Sequence, residues 1–277
     1  MSSIKKIYID TRFKTQDSIS DSDFKIQLPF NIDLPNKCAF YITDIVIPVS
    51  FYTVQTGVND KLYIITNNDG SFIYWTITIS SKNYTIATLA QELQNKLSNN
   101  FGGSAFHFSV SYDLDLNKIS LVMEQSDPLD SFDPFYFKVA TDYELQNGGW
   151  SGGTSIASPQ SLNSILNNYT STTTNGGATW WSGYVDFHPI RNLYLSSSNF
   201  GSFQTISVWR QDTIIKKIPI SANYNELVID NETNPYDFLS CDNQTLSLLH
   251  FQLKDSNGIT VNLQNHWSFS IIFINQE

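Results

Sequence analysis

Apolar and polar residues alternate along most of this chain with a period of two, the spacing of strands that turn one face to a core and the other to solvent. Phe24, Ile26 and Leu28 make the first clear set, in a strand over 23–28 that Pro29 ends. Residues 38–47, CAFYITDIVI, alternate at Ala39, Tyr41, Thr43 and Ile45 until Pro48. KLYIIT (61–66) and SFIYWTITI (71–79) follow as a hairpin, because Asn67, Asn68, Asp69 and Gly70 between them tolerate positive φ. The period then changes once: Ile86, Leu89, Ala90, Leu93 and Leu97 fall on one helical face and predict an amphipathic helix over 85–98. Strand alternation returns at 106–112, 118–123 and 135–140. It resumes at 192–196, 213–220, 226–229, 246–254 and 267–274.

Residues 147–183 are rich in Gly, Ser, Thr and Asn and read as exposed loops, with one short helix over 161–166. The strands therefore bracket a helix-bearing segment. The predicted class is mainly β, a single β-sandwich with a small α+β insertion. The division is an N-terminal arm (1–22), a sandwich from 23–80 plus 182–277, and an inserted subdomain over 81–181.

Composition supports that class. The 277 residues are 41% hydrophobic, with 19 Phe, 14 Tyr and 6 Trp, and only 15% charged. Aromatic and β-branched side chains suit a half-buried pleated surface, whereas surface helices need more Glu, Lys and Arg than this. The net charge of -10, with 16 basic residues, argues against a phosphate-neutralising surface, so no nucleic acid binding is expected. Residues 121–190 hold seven acids and one Lys. The N-terminal segment is locally basic: Lys5, Lys6, Arg12 and Lys14 stand against Asp10 and Asp17, either an arm that meets an acidic partner or a solvated terminus.

Residues 2–6 show no apolar signal region, and no run approaches about 18 apolar residues, so neither export nor a membrane span is expected. Cys38 and Cys241 are then read as reduced thiols, a disulfide being the alternative. The sequons beginning at Asn83, Asn168, Asn231 and Asn243 are read as unglycosylated.

Candidate chemistry is sparse. His107, His188, His250 and His266 are scattered and sit in no HxH, HExxH or Cys/His cluster. His250, inside a strand, reads as a hydrogen-bonded structural residue. Asp113, Asp115 and Asn117 begin a calcium-loop pattern but lack its Gly and its twelfth-position Glu, so they read as a polar turn. Asp127, Asp130 and Asp133, with Pro128 and Pro134, read as a solvated acidic loop, a cation or acid-base role being the alternative. Gly148, Gly149, Gly152 and Gly153 lack the preceding strand and the Lys of a phosphate-binding loop. No catalytic residue, cofactor or metal site is expected, and the protein is read as not an enzyme. Trp150, Trp180 and Trp181, in Gly-rich surroundings, are candidates for outward recognition loops that stack on sugars or fill a partner's pocket. The alternative is that they cap the inserted subdomain.

Four stretches, taken in order, carry a family resemblance: IYIDTRFKTQDSISDSDFKIQLP (7–29), CAFYITDIVIPVSFYTV (38–54), SGYVDFHPIRNLYLSSSN (182–199) and HWSFSIIF (266–273). In order and spacing the chain resembles the penton-type minor capsid proteins of virophages, Polinton-like viruses and related large DNA viruses. The resemblance implies a single jelly roll of eight strands in two sheets. It also implies an outward insertion, a homopentamer closing each five-fold vertex of an icosahedral virion, and contact with hexamers of the major capsid protein. The protein would be made in the host cytoplasm, in a viral factory. Strand 23–28 would pair with 267–273, because first and last strands of a jelly roll are neighbours. The arm, with Lys5, Lys6, Arg12, Phe13 and Lys14, would reach neighbouring shell subunits. A receptor- or glycan-binding β-sandwich is the competing reading, and a hydrolase using the acidic run is the third.

Overall fold

The structure, a computed structural model, describes residues 5–68, 70–126, 135–188, 190–200, 214–232 and 237–275. In chain order its strands are β1 (Lys5–Asp10), β2 (Asp23–Asp33), β3 (Cys38–Pro48), β4 (Lys61–Asn68), β5 (Ser71–Thr78), β6 (Phe106–Asp113), β7 (Lys118–Gln125) and β8 (Phe135–Val139). They continue as β9 (Thr173–Asn175), β10 (Thr179–Trp181), β11 (Asn192–Ser197), β12 (Ile214–Pro219), β13 (Leu227–Asp230), β14 (Leu239–Ser240), β15 (Thr245–Lys254) and β16 (Ser268–Asn275). Helix α1 (Ile86–Phe101) lies between β5 and β6, and α2 (Asp142–Gln146) and α3 (Asn163–Leu166) between β8 and β9. The chain forms two compact units, residues 1–51 with 190–277, and residues 52–189.

The first unit is a jelly-roll β-sandwich. One sheet has the order β1-β16-β3-β13, with β14 also on β3, and the other β12-β11-β15-β2. All neighbours are antiparallel. Counting only the long strands of this unit, the orders are 1-8-3-6 and 2-7-4-5, which is the double Greek key of a jelly roll. Both inner faces close on one core in which Phe24, Phe40, Phe200, Phe251, Phe269 and Phe273 are fully buried.

The expected neighbour relation between first and last strands holds, but the first strand is not residues 23–28. It is β1, inside the segment read as a free arm, and Lys5 to Asp10 pair with Phe273 to Ser268. Ile9 points into the core with Ile7 packed beside it, while Lys6 and Tyr8 face out. Residues 23–28 belong to β2, which pairs with β15 on the opposite sheet. Pro29 does not end β2, because β2 is an edge strand and Pro29 falls where the register shifts between Leu246 and Leu248. An edge or a bulge is where a residue without an N–H is tolerated in a sheet.

The second unit is α+β. Its sheets are β5-β4-β8-β9 and β10-β7-β6, and α1 packs on a core shared by both, with Leu89, Ala90, Leu93, Leu97 and Phe101 buried. Thr85 and Thr88 cap the helix reciprocally, each side chain accepting from the other's backbone N–H, so it starts where the pattern predicts. The pattern places the hairpin β4-β5 in the sandwich. It sits in this unit instead, because β4 pairs with β8 and Leu62, Ile64 and Ile77 join the core beneath α1. The boundary therefore falls between Phe51 and Tyr52, and between Pro189 and Ile190, rather than near residues 80 and 182. Nor are residues 147–183 only exposed loops. Leu162, Ile165, Leu166 and Trp180 are buried there, and Asn163 donates to the Ala140 carbonyl at 2.9 Å and to Asp142 at 2.8 Å. At Gly183 a Cβ would lie 2.5 Å from the Asn167 carbonyl oxygen, a close approach that only glycine permits.

Candidate functional site

The N-terminal basic residues are positioned by β1 and by the 3-10 turn Thr11–Phe13 that follows it. Lys6 reaches across β16 to Asp44 (Nζ–Oδ2 2.7 Å), which occupies a left-handed conformation (φ 52) at a bulge in β3. Arg12 grips Asp10 with Nε at 3.0 Å from Oδ1 and Nη2 at 2.5 Å from Oδ2. Lys14 pairs with Asp21 at 2.7 Å, and Lys25 with Asp17 at 2.6 Å. Asp21 also accepts from His266 Nδ1 at 3.0 Å, and its carbonyl accepts from Trp267 Nε1 at 2.6 Å. Three of the four cations read as an arm for a partner are thus neutralised within the unit. Lys5 and Phe13 are exposed, Phe13 at 75%.

These pairs fix how the unit responds to acid. The Lys25 ammonium pulls the Asp17 carboxyl down from 3.8 to about 2. Arg12 lowers Asp10 and Lys6 lowers Asp44, in each case chiefly through the hydrogen bond they donate. A carboxyl that is more acidic in the folded state contributes stability above its unfolded value, and that contribution disappears as pH falls through the folded value. The unfolded chain then binds more protons. Melting temperature is expected to be level down to about pH 5 and to fall progressively below it, through the unfolded value of 3.8 towards about 2. Lys6→Met and Lys25→Met should flatten the fall, and a pH series of thermal melts at fixed ionic strength checks both.

Two apolar features escaped the pattern reading. On the outward side of the β1-β16-β3-β13 sheet Tyr8 of β1 is 76%, Ile229 59% and Leu227 54% exposed, the last two because β13 carries aliphatic residues on both faces. Alternation marks only strands with one wet face, so it gave no warning. In the second unit, β5 and β8 bring Phe72 and Tyr136 to ring centroids 6.3 Å apart across Asn67 of β4. On the same sheet face Trp150 meets Tyr63 at 5.0 Å and Tyr74 at 5.3 Å, both edge to face. Lys138 and Glu144 form an ion pair beside them.

The three candidate recognition tryptophans do not converge. Trp180 is 3% exposed, in the middle of β10 opposite Leu121, and is a core residue rather than a recognition residue. Trp181, on the other face of that strand, is 45% exposed. Trp150 is half-buried against the two tyrosines.

His250 is the structural residue it was read to be. Its Nε2 meets Asp23 Oδ1 at 2.7 Å, Gln252 donates to the other Asp23 oxygen at 2.8 Å, and Asn199 accepts from the His250 backbone N–H at 2.6 Å. Ser198 Oγ is 3.4 Å from Nδ1, so serine, histidine and aspartate stand in line. The order of the ring nitrogens is the reverse of that in a catalytic triad, where Nε2 faces the serine. Asp113 Oδ1 accepts from the N–H groups of Asp115 and Leu116, closing a polar turn, and Asn117 donates to the Val185 carbonyl. Among the described residues no group of three His, Cys, Asp or Glu is placed to hold a metal. Also among them, no helix is long and apolar enough to cross a membrane. Asp127, Asp130 and Asp133, with Pro128 and Pro134, lie outside the described residues.

No family model matches the chain, and no curated protein matches it in sequence. Among solved structures, the crystal structure of the selenomethionine-labelled mavirus penton protein matches 98% of this chain and 99% of that one, with a TM-score of 0.52 and 7% identity. The likeness is one of fold, and this chain has the fold of that penton protein along nearly its whole length.

Proposed function

We propose that this chain is a structural virion protein without enzymatic activity, a minor capsid subunit of the penton type. Five copies close a five-fold vertex of an icosahedral shell and abut hexamers of the major capsid protein. The protein is made in the host cytoplasm, in a viral factory, and resides in the capsid. The observation that carries this reading is the end-to-end match to a penton protein, which takes in the helix-bearing unit as well as the jelly roll. A ring of identical subunits needs a heterologous contact that closes by rotation. The exposed Tyr8, Leu227 and Ile229 offer apolar area for such a contact. Lys5 and Phe13, rather than the paired Lys6, Arg12 and Lys14, are the N-terminal groups left for a shell neighbour.

Light-scattering mass and electron microscopy of the purified protein, with labelling inside particles, test the reading. Pentamers, or copies confined to vertices, are expected. A monomer at high concentration together with particles lacking it at vertices would overturn it.

A second reading, a glycan-binding surface, is favoured by Phe72, Tyr74, Tyr136 and Trp150 on one sheet face. Aromatic faces stack on sugars. A glycan array with the wild type and Phe72→Ala decides this reading: binding abolished by the substitution supports it, and no binding by the wild type rejects it.

A further inference from the structure

The chain has two cysteines, 38 and 241, and folding brings them face to face. β14 pairs with β3 in the register Leu239 to Phe40 and Ser240 to Ala39, and the next step of that ladder sets Cys241 opposite Cys38. The Cys241 N–H donates to the Cys38 carbonyl at 2.9 Å, and the Cys38 N–H donates to Asp242 Oδ1 at 2.5 Å, so the backbone on both sides is held. Directly opposed residues of an antiparallel pair stand about 4.5–5.5 Å apart at Cα. A disulfide needs roughly 4.4–6.8 Å. The thiols are within hydrogen-bonding reach of each other, and both residues are buried, at 2% and 1% exposure, in the jelly-roll core. No other thiol competes for either sulfur.

We propose that Cys38 and Cys241 are a covalent clasp, open as two thiols in a reducing compartment and closed as a cross-strand disulfide in an oxidising one. The oxidant is a low-molecular-weight disulfide of the glutathione type. One cysteine thiolate attacks it and expels one small thiol. The second cysteine, as its thiolate, attacks the mixed disulfide and expels the other, so two protein thiols and one small disulfide become one protein disulfide and two small thiols. Each attack requires a thiolate, and burial pushes the Cys241 thiol up. Closure in the folded protein therefore waits on opening of β14, which is only two residues long. Closed, the bridge ties the strand that leads into β15 onto β3, and joins chain positions between which the whole second unit is inserted. A cross-link spanning so long a loop restricts the unfolded chain strongly.

The test uses the full chain, purified reduced, then held with oxidised glutathione in mild denaturant that opens β14 without unfolding the sandwich. Titratable thiols should drop from two to none per chain. The monomer should run faster on a non-reducing gel, and its melting temperature should rise by roughly 5–10 °C, reversibly with a dithiol. Cys38→Ala/Cys241→Ala should melt at one temperature in both conditions, and Cys241→Ser alone should stop at a mixed disulfide that adds the mass of one glutathione and leaves the gel mobility unchanged. Two free thiols after prolonged oxidation, or disulfide-linked dimers with no bridged monomer, would overturn the clasp. The readout is on the isolated chain, so it stands or falls separately from the capsid reading.

Discussion

Phe251→Ala is expected to cost the jelly-roll unit about 3–5 kcal/mol, the range for emptying a buried aromatic site. Phe251 is fully buried on β15 and touches both sheets. Phe24 lies 5.6 Å away on the neighbouring strand β2, and Phe269 of the facing sheet stands edge to face at 5.1 Å. Phe200 stacks at 6.4 Å. Each such pair adds about 0.5–1.5 kcal/mol beyond the area it buries. The site cannot collapse around the void, because its walls are rings held by two sheets whose ladders fix their spacing. Phe251→Leu refills most of the volume and should cost less than about 1.5 kcal/mol. Tyr8→Ala, on the wet face of the other sheet, should stay within about 0.5 kcal/mol. Urea unfolding measures all three, as midpoint shifts at unchanged slope. A loss for Tyr8→Ala as large as that for Phe251→Ala would mean that the sandwich does not close on this core.

What the chain discloses by itself follows the strength of local pattern. Helix α1 declares itself because five apolar residues share one face and Thr85 caps it; the hairpin β6-β7 does so because Phe106 and Phe108 alternate with polar neighbours around a polar turn. β1 reads as part of an arm because Lys5 and Lys6 within it, with Arg12 and Lys14 just beyond, dominate the local charge. Only Ile7 and Ile9 face inward, and their partner strand lies more than 250 residues away. The neutralisation of that charge was equally hidden. Asp44 and Asp21 come to Lys6 and Lys14 through sheet pairing and a returning loop, not through spacing along the chain. The same holds for Cys38 and Cys241, which nothing local connects. The hairpin β4-β5 was legible as a hairpin, but its unit was not, since that depends on β8 pairing with β4 across an intervening helix and hairpin.

Trp180 and Trp181 are adjacent in sequence and should differ sharply in what they hold. In a strand, successive side chains point to opposite faces, and β10 has room for only one of the two to face the core. Trp180 does, among the residues beneath α1, with β10 tied to β7 at Leu121 and Ser182 donating to the Ile119 carbonyl just beyond. Trp180→Ala is expected to cost about 3–5 kcal/mol, and Trp181→Ala, nearly half exposed, less than about 1 kcal/mol. Thermal melts of the full chain, read by near-UV circular dichroism, separate them, and equal losses would show that β10 is not registered on β7 as described. The contrast also governs how a binding experiment on the second unit is read. Loss of a ligand in Trp180→Ala would report unfolding of the platform beneath it. Phe72, Trp150 and Trp181 can lose contacts with a partner while the core under α1 stays filled, so a binding defect in those variants at unchanged melting temperature is the one that locates a recognition surface.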